Sequence, residues 1–353
     1  MTIRITAILA RSPKSPGFRD ALDAAVSDDD GAGIADWHHG PMDPLTYRTI
    51  AVNGVELQVS VTNEGGPQGL ALLLHGFPEL AFSWRHQIPA LAAAGYEVWA
   101  PNLRGYGESS KPPKVSDYSM DLLLADIAAL IDATGRDDVT LVGHDWGAAQ
   151  AWMFAIRRVR PLRRLVIMNV PHPACMQREL RTFRQLRKSW YIFFFQIPWL
   201  PEKVLCARRA QAVADAFEKT AVDKSRFPPE VTEVYRNAAL RPGAMRSMVN
   251  YYRALFRGVR KTASEELPVI ETPTLMVWGL EDTALSKETT DGTDEYVTDL
   301  TLRFLPDVSH WVQQDAPETV NAMLLAWLAG EPVPEAADVV FERLEDLAVS
   351  RTT

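Results

Sequence analysis

The sequence predicts an α/β protein: a mostly parallel central sheet with helices on both faces, interrupted by one inserted helical cap, or lid. Three observations carry this. Short continuous apolar runs recur along the chain, helical patterns separate most of them, and the interval from Pro173 to Thr272 contains no convincing buried strand. Alternating strands and helices imply a parallel sheet covered on both sides, since each crossover lays a helix against one face.

The elements follow in order. Residues 1–41 read as an N-terminal extension, rich in Asp, Gly, Pro and Ser after position 10, and Met42 stands as an alternative start just before the first patterned residues. The apolar stretch Ile5 to Ala10 is too short for a secretory segment. Two alternating segments within residues 46–61 flank Asn53-Gly54, a strong hairpin signal because both residues tolerate positive φ. Buried strands are then expected at GLALLLHG (69–76), YEVWAP (96–101), VTLVGH (139–144), LRRLVIMNV (162–170), TLMVWG (274–279) and LTLRFLP (300–306). Helical patterns run over 121–135 and 318–330. The organisation expected is a core of 42–173 and 263–332, a helical cap of 174–262, and a tail of 333–353. The segment VVFERLEDLAV within that tail reads as a terminal helix.

Bulk properties narrow the function classes. Across 353 residues, 47% hydrophobic and 23% charged composition fits a soluble globular protein with a large core. The longest apolar-aromatic cluster, Tyr191 to Phe195, falls far short of a membrane span. A net charge of -8 disfavours nucleic acid and suits an enzyme with a neutral small substrate. Cys175 and Cys206 are the two cysteines; they form no metal-ligand spacing and fit a reducing cytoplasm. Oligomeric state is left open.

Chemistry concentrates in VTLVGHDWGAAQAW. Gly143 and Gly147 bracket Asp145 in a G-x-D-x-G pattern between a strand and a helix. Glycines two before and two after allow a sharp turn that lifts the central side chain above the sheet. The competing reading is a chance loop. A serine attacking an sp³ carbon would form an ether that water cannot readily cleave, whereas a carboxylate forms a hydrolysable ester. An aspartate there points away from acyl transfer and toward opening C–O or C–halogen bonds. Enzymes with a nucleophile on such a turn carry their acid and then their histidine later in the chain. Asp282 follows the strand TLMVWG, and His310 is the one histidine after the last strand. His75, His144 and His172 read as supporting or packing residues. The segment His75-Gly76-Phe77-Pro78-Glu79 follows the first long buried strand, and its backbone N–H groups, with that of Trp146, lie where an oxyanion hole would form.

With these residues in place, the chain from about Tyr47 to Leu328 resembles soluble epoxide hydrolases of the α/β-hydrolase superfamily. HGFPE, NLRGYGES, GHDWG, SWYIFFFQIP, NYYR, GLEDTAL and SHWVQQDAPE match that pattern in order. The resemblance implies the α/β-hydrolase fold and adds two cap tyrosines that hold the epoxide oxygen: Tyr191, five residues before Gln196, and Tyr252, with Tyr251 as the alternative register. It implies a nucleophile, Asp145, a base, His310, oriented by Asp282, and an oxyanion hole from Phe77 and Trp146. The product is a vicinal diol, and no metal or organic cofactor is required. Pro78, Trp190, Phe194 and Trp311 are the substrate-contact candidates, and the aromatic cap suggests hydrophobic epoxides. Haloalkane dehalogenase is the nearest rival, but it calls for halide donors where this chain has Phe77. A non-catalytic ligand-binding protein of the same fold would be expected to lose one of the three acid–base residues, and none is lost.

Overall fold

The computed structural model describes residues 45–258 and 267–338. The N-terminal extension of 1–41 and the expected helix at 339–349 lie outside them.

Eight strands form one sheet in the order β1-β2-β4-β3-β5-β6-β7-β8. They are β1 (Tyr47–Val52), β2 (Val55–Thr62), β3 (Leu70–Leu74), β4 (Glu97–Pro101), β5 (Val139–His144), β6 (Arg164–Met168), β7 (Thr274–Gly279) and β8 (Leu300–Leu305). β1 pairs antiparallel with β2, and β2 with β4; every other pair is parallel. Asn53 (φ 46) and Gly54 (φ 73) turn the hairpin with both central residues left-handed, as a tight two-residue loop requires.

The continuous apolar runs are explained by burial on both faces. Leu70, Leu72 and Leu74 of β3 enter one core, while Ala71 and Leu73 enter the other. The first core is filled from α2 (Met120–Thr134) and α3 (Trp146–Ile156), through residues such as Ile127 and Trp152. The second takes Ile88 and Leu91 of α1 (Gln87–Ala93) and Val320, Met323 and Leu324 of a helix over Pro317–Ala329.

Between β6 and β7 the described chain is helical: α4 (Pro173–Glu179), α5 (Phe183–Lys188), α6 (Trp190–Phe194), α7 (Leu200–Glu218), α8 (Pro229–Ala239) and α9 (Ala244–Gly258). α7 is broken in its middle, where Ala207 is extended and Arg208, Arg209 and Ala210 take φ of 51, 56 and 56. Phe217, Tyr235, Met248 and Tyr251 of this insertion join the same core as Trp146 and the sheet, so the cap is packed down rather than tethered. A short helix, α10 (Val312–Asp315), follows His310, and the Pro317–Ala329 helix is α11. No helix among the described residues is long and apolar enough to cross a membrane.

Candidate active site

Five parallel strands deliver their following residues to one edge of the sheet: His75 after β3, Asp145 after β5, Asn169 after β6, Asp282 after β7 and His310 after β8. The carboxyl edge of such a sheet is where ligand sites form, because the loops there converge. Asp145 sits between β5 and α3 at φ 46, ψ -120, outside the ordinary backbone wells. Two glycines make this position possible. A Cβ on Gly147 would run into the Leu74 carbonyl, and one on Gly76 would run into the Asp145 side chain.

The side chains form a continuous polar line. The Phe77 N–H donates to Asp145 Oδ1 at 2.7 Å, and Asp145 Oδ2 lies 3.6 Å from His310 Nε2. His310 Nδ1 donates to Asp282 Oδ2 at 2.6 Å. A carboxylate only accepts, so the hydrogen on Nδ1 turns the other ring nitrogen toward Asp145. Asp282 is itself held, by the backbone N–H groups of Ala284 (2.7 Å) and Leu285 (2.8 Å) and by Asn169 Nδ2 (2.8 Å). Trp146 opens α3, where the first N–H groups have no intrahelical partner.

Electrostatics follow from this packing. Burial would push the Asp145 and Asp282 carboxyls up, but hydrogen bonds and the charge of His310 hold both below the usual carboxylate value. Burial would likewise push His310 down; Asp282 and Asp145 on either side outweigh it and raise its pKa to about 10.

The cap supplies two phenols. Tyr252 on α9 packs edge-on against Trp146 (5.0 Å between ring centres), Phe77 (5.4 Å) and Tyr191 of α6 (5.9 Å). Burial raises the pKa of both tyrosines, and the Asp145 charge raises them further. Both therefore stay protonated at neutral pH and able to donate. Gln196 ties the two helices together, donating to the carbonyls of Ile192 (3.0 Å) and Tyr252 (3.3 Å). Tyr251 is committed elsewhere: its hydroxyl donates to the Arg104 carbonyl at 2.7 Å.

The apolar candidates are placed unequally. Pro78 is buried, joined to Phe77 by a cis peptide bond. Trp311 is buried with its ring 5.1 Å from that of His310, and its indole N–H donates to Thr220 Oγ1 at 2.8 Å. Phe194 is partly buried beside Phe195, at 5.8 Å. Trp190 packs on Phe194 at 6.0 Å but leaves half its surface in solvent, so it is the candidate set furthest into water.

Two residues escaped the sequence reading. Asn169 bridges β6 and β7, donating to Asp282 and accepting from the Gly279 N–H at 2.9 Å. Its one signal is position, directly after a buried strand. Glu79 is fully buried and accepts from the Gly76 N–H (2.8 Å), Gln313 (2.9 Å) and Gln314 (2.8 Å), with His144 Nδ1 at 2.7 Å. His144 Nε2 in turn donates to the His310 carbonyl at 2.8 Å. One carboxylate thus joins the oxyanion loop, the elbow and the loop of the histidine. His75 is locked as well: Nδ1 donates to the Gly76 carbonyl and Nε2 accepts from the Leu103 N–H, while burial lowers its pKa to about 4.

Comparison with known proteins identifies the family. A family model described as alpha/beta hydrolase fold matches residues 71–317. The chain is 37% identical over 296 residues to an AB hydrolase superfamily protein of Bacillus subtilis, covering 82% of this chain and all of that one. It is 35% identical over 291 residues to epoxide hydrolase 4 of Mus musculus, covering 81% and 79% of the two chains. The crystal structure of a Bacillus megaterium epoxide hydrolase with an inhibitor superposes at a TM-score of 0.73 with 32% identity, covering 80% of this chain and all of that one. On these matches the chain belongs to the α/β-hydrolase superfamily and, within it, to the epoxide hydrolases.

Proposed function

We propose that the enzyme converts a hydrophobic epoxide and water to a vicinal diol through an alkyl ester on Asp145. The observation that carries this reading is the pairing of a lowered elbow carboxylate with two protonated phenols across one aromatic site. Tyr191 and Tyr252 donate to the epoxide oxygen. Asp145 Oδ1 is held by the Phe77 N–H, which leaves Oδ2 to attack a ring carbon. The C–O bond of the ring breaks, and the alkoxide takes a proton from a phenol. Water then loses a proton to His310 Nε2 and attacks the ester carbonyl. The Phe77 and Trp146 N–H groups stabilise the oxyanion on Oδ1. Collapse expels the diol oxygen, which takes the imidazolium proton, and the proton left on the regenerated Asp145 carboxyl restores the phenol. A single turnover in heavy-oxygen water should leave the label in the Asp145 carboxylate. Label found in the diol on that first turnover would reject the ester.

The charge of the site changes during this cycle, and a pH dependence follows. Resting His310 lies between two carboxylates, which hold its pKa near 10. Esterification makes Asp145 neutral and removes one of them, so the base becomes easier to deprotonate when it is needed. Ester hydrolysis in single-turnover experiments should therefore rise with pH through an apparent pKa well below 10, while NMR titration of His310 in the free enzyme stays near 10. Coincidence of the two values would contradict the proposed order of events.

A further inference from the structure

The cap turns an apolar and basic face to solvent. Phe183 is 81% exposed, Leu186 43%, Trp190 49%, Phe193 49% and Trp199 64%. Steps of three, four and three residues separate the first four, so they follow one side of the helical path through α5 and α6. Apolar side chains share this outer side with Arg184 and Arg187, while two polar residues of the same path, Gln185 and Lys188, turn toward the protein. Gln185 donates to the Ala284 carbonyl (3.0 Å) and accepts from the Ser286 N–H (3.0 Å), and Lys188 donates to the Asp282 carbonyl (2.7 Å).

Charge on this stretch opposes that of the whole protein. From Arg178 to Phe195 there are five basic residues, Arg178, Arg181, Arg184, Arg187 and Lys188, against Glu179 alone, in a chain of net charge -8. Arg184 pairs with Glu288 at 2.9 Å, while Arg181 and Arg187 are exposed and have no acidic partner among the described residues.

We propose that this face docks on the surface of an anionic lipid bilayer. Trp and Phe side chains favour the headgroup boundary, and arginines beside them would meet lipid phosphates. A second copy of the chain is the poorer occupant, since a two-fold contact would set the same basic patch against itself. Docking is peripheral, as no described helix can span a bilayer. The docking stands independently of the reaction. Its benefit to turnover rests on the epoxide reading: α6 also carries Tyr191, so the site would open beside the phase into which an apolar epoxide partitions.

The test is flotation of the full chain with vesicles of phosphatidylglycerol and phosphatidylcholine in equal parts, against phosphatidylcholine alone. The protein should float with the anionic vesicles, less with neutral ones, and less as salt is raised. Arg187→Glu, and separately Phe183→Asp with Leu186→Asp, should each lower the bound fraction at least about tenfold, since each basic residue and each inserted apolar side chain contributes independently. Melting temperature and turnover of a small water-soluble epoxide should not change. No binding to anionic vesicles, or unaltered binding by both variants, overturns the proposal. So does a concentration-dependent dimer in sedimentation that Phe183→Asp dissolves, which would make a second copy the occupant. Vesicle binding by a protein that opens no epoxide would reject the reaction reading and leave the docking intact.

Discussion

His310→Gln should yield an enzyme that alkylates itself once and then stalls. In the proposed mechanism ring opening needs the Asp145 carboxylate and the cap phenols, neither of which the substitution removes. Ester hydrolysis needs a group that accepts a proton from water, and an amide does not. A well-placed general base contributes roughly a hundred- to ten-thousand-fold, so ester hydrolysis should slow by about that factor. Intact-protein mass spectrometry should show enzyme plus one substrate, with the addition mapped to the peptide of Asp145. Glutamine can still hydrogen-bond to Asp282, which keeps the loop after β8 in place. An inactive variant that stays unmodified would mean that His310 is required before the ester forms.

Removing both cap hydroxyls should have the second large effect, on the other half of the cycle. Tyr191→Phe or Tyr252→Phe alone leaves one donor facing the epoxide oxygen, so alkylation should slow without stopping. Loss of an oxyanion-type donor costs about 2.7–4 kcal/mol where nothing replaces it, and each single variant should lose less. The double variant should lose nearly all ring opening while remaining folded, because phenylalanine keeps the edge contacts with Trp146 and Phe77. Stopped-flow measurement of alkylation separates this from hydrolysis, which should be untouched in the singles. Tyr251→Phe is the internal control: its hydroxyl is bound to the Arg104 carbonyl, so it should affect stability more than ring opening. Wild-type diol formation by the double variant would reduce both tyrosines to packing.

The sheet was legible because each buried strand is a short apolar run ending in a glycine, a polar residue or a proline. Two cores sandwiching the inner strands leave no alternation there, whereas β8, expected to be buried, is an edge strand whose residues Leu300 to Phe304 are only partly buried, in keeping with its Thr301 and Arg303. The grouping of Asp145, Asp282 and His310 was legible for a related reason: parallel strands deliver their next residues to one edge. Other features depend on contacts that no local pattern carries. The break in α7 falls in CARRAQA, whose alanines, arginines and glutamine all favour helix, so tertiary packing overrides propensity there. Glu79 was visible as part of HGFPE, but its partners come from residues 76, 144, 313 and 314, brought together only by the fold. Trp190 and Phe194 looked alike within one aromatic run, yet solvent reaches the first far more than the second.

The shared carboxylate of Glu79 bears on how such an enzyme can diversify. Three loops lean on a single acceptor, so altering the shape of one disturbs the hydrogen bonds of the other two. Randomised libraries aimed at those loops should therefore be dominated by dead or misfolded variants. The cap leans on this network at separate points, as where Tyr235 donates to Gln314 (2.7 Å) and Lys188 to the Asp282 carbonyl (2.7 Å), so most of its side chains can change one at a time. New substrate preferences would accordingly arise by exchanging side chains along α6 to α9, with the reaction machinery carried through unchanged.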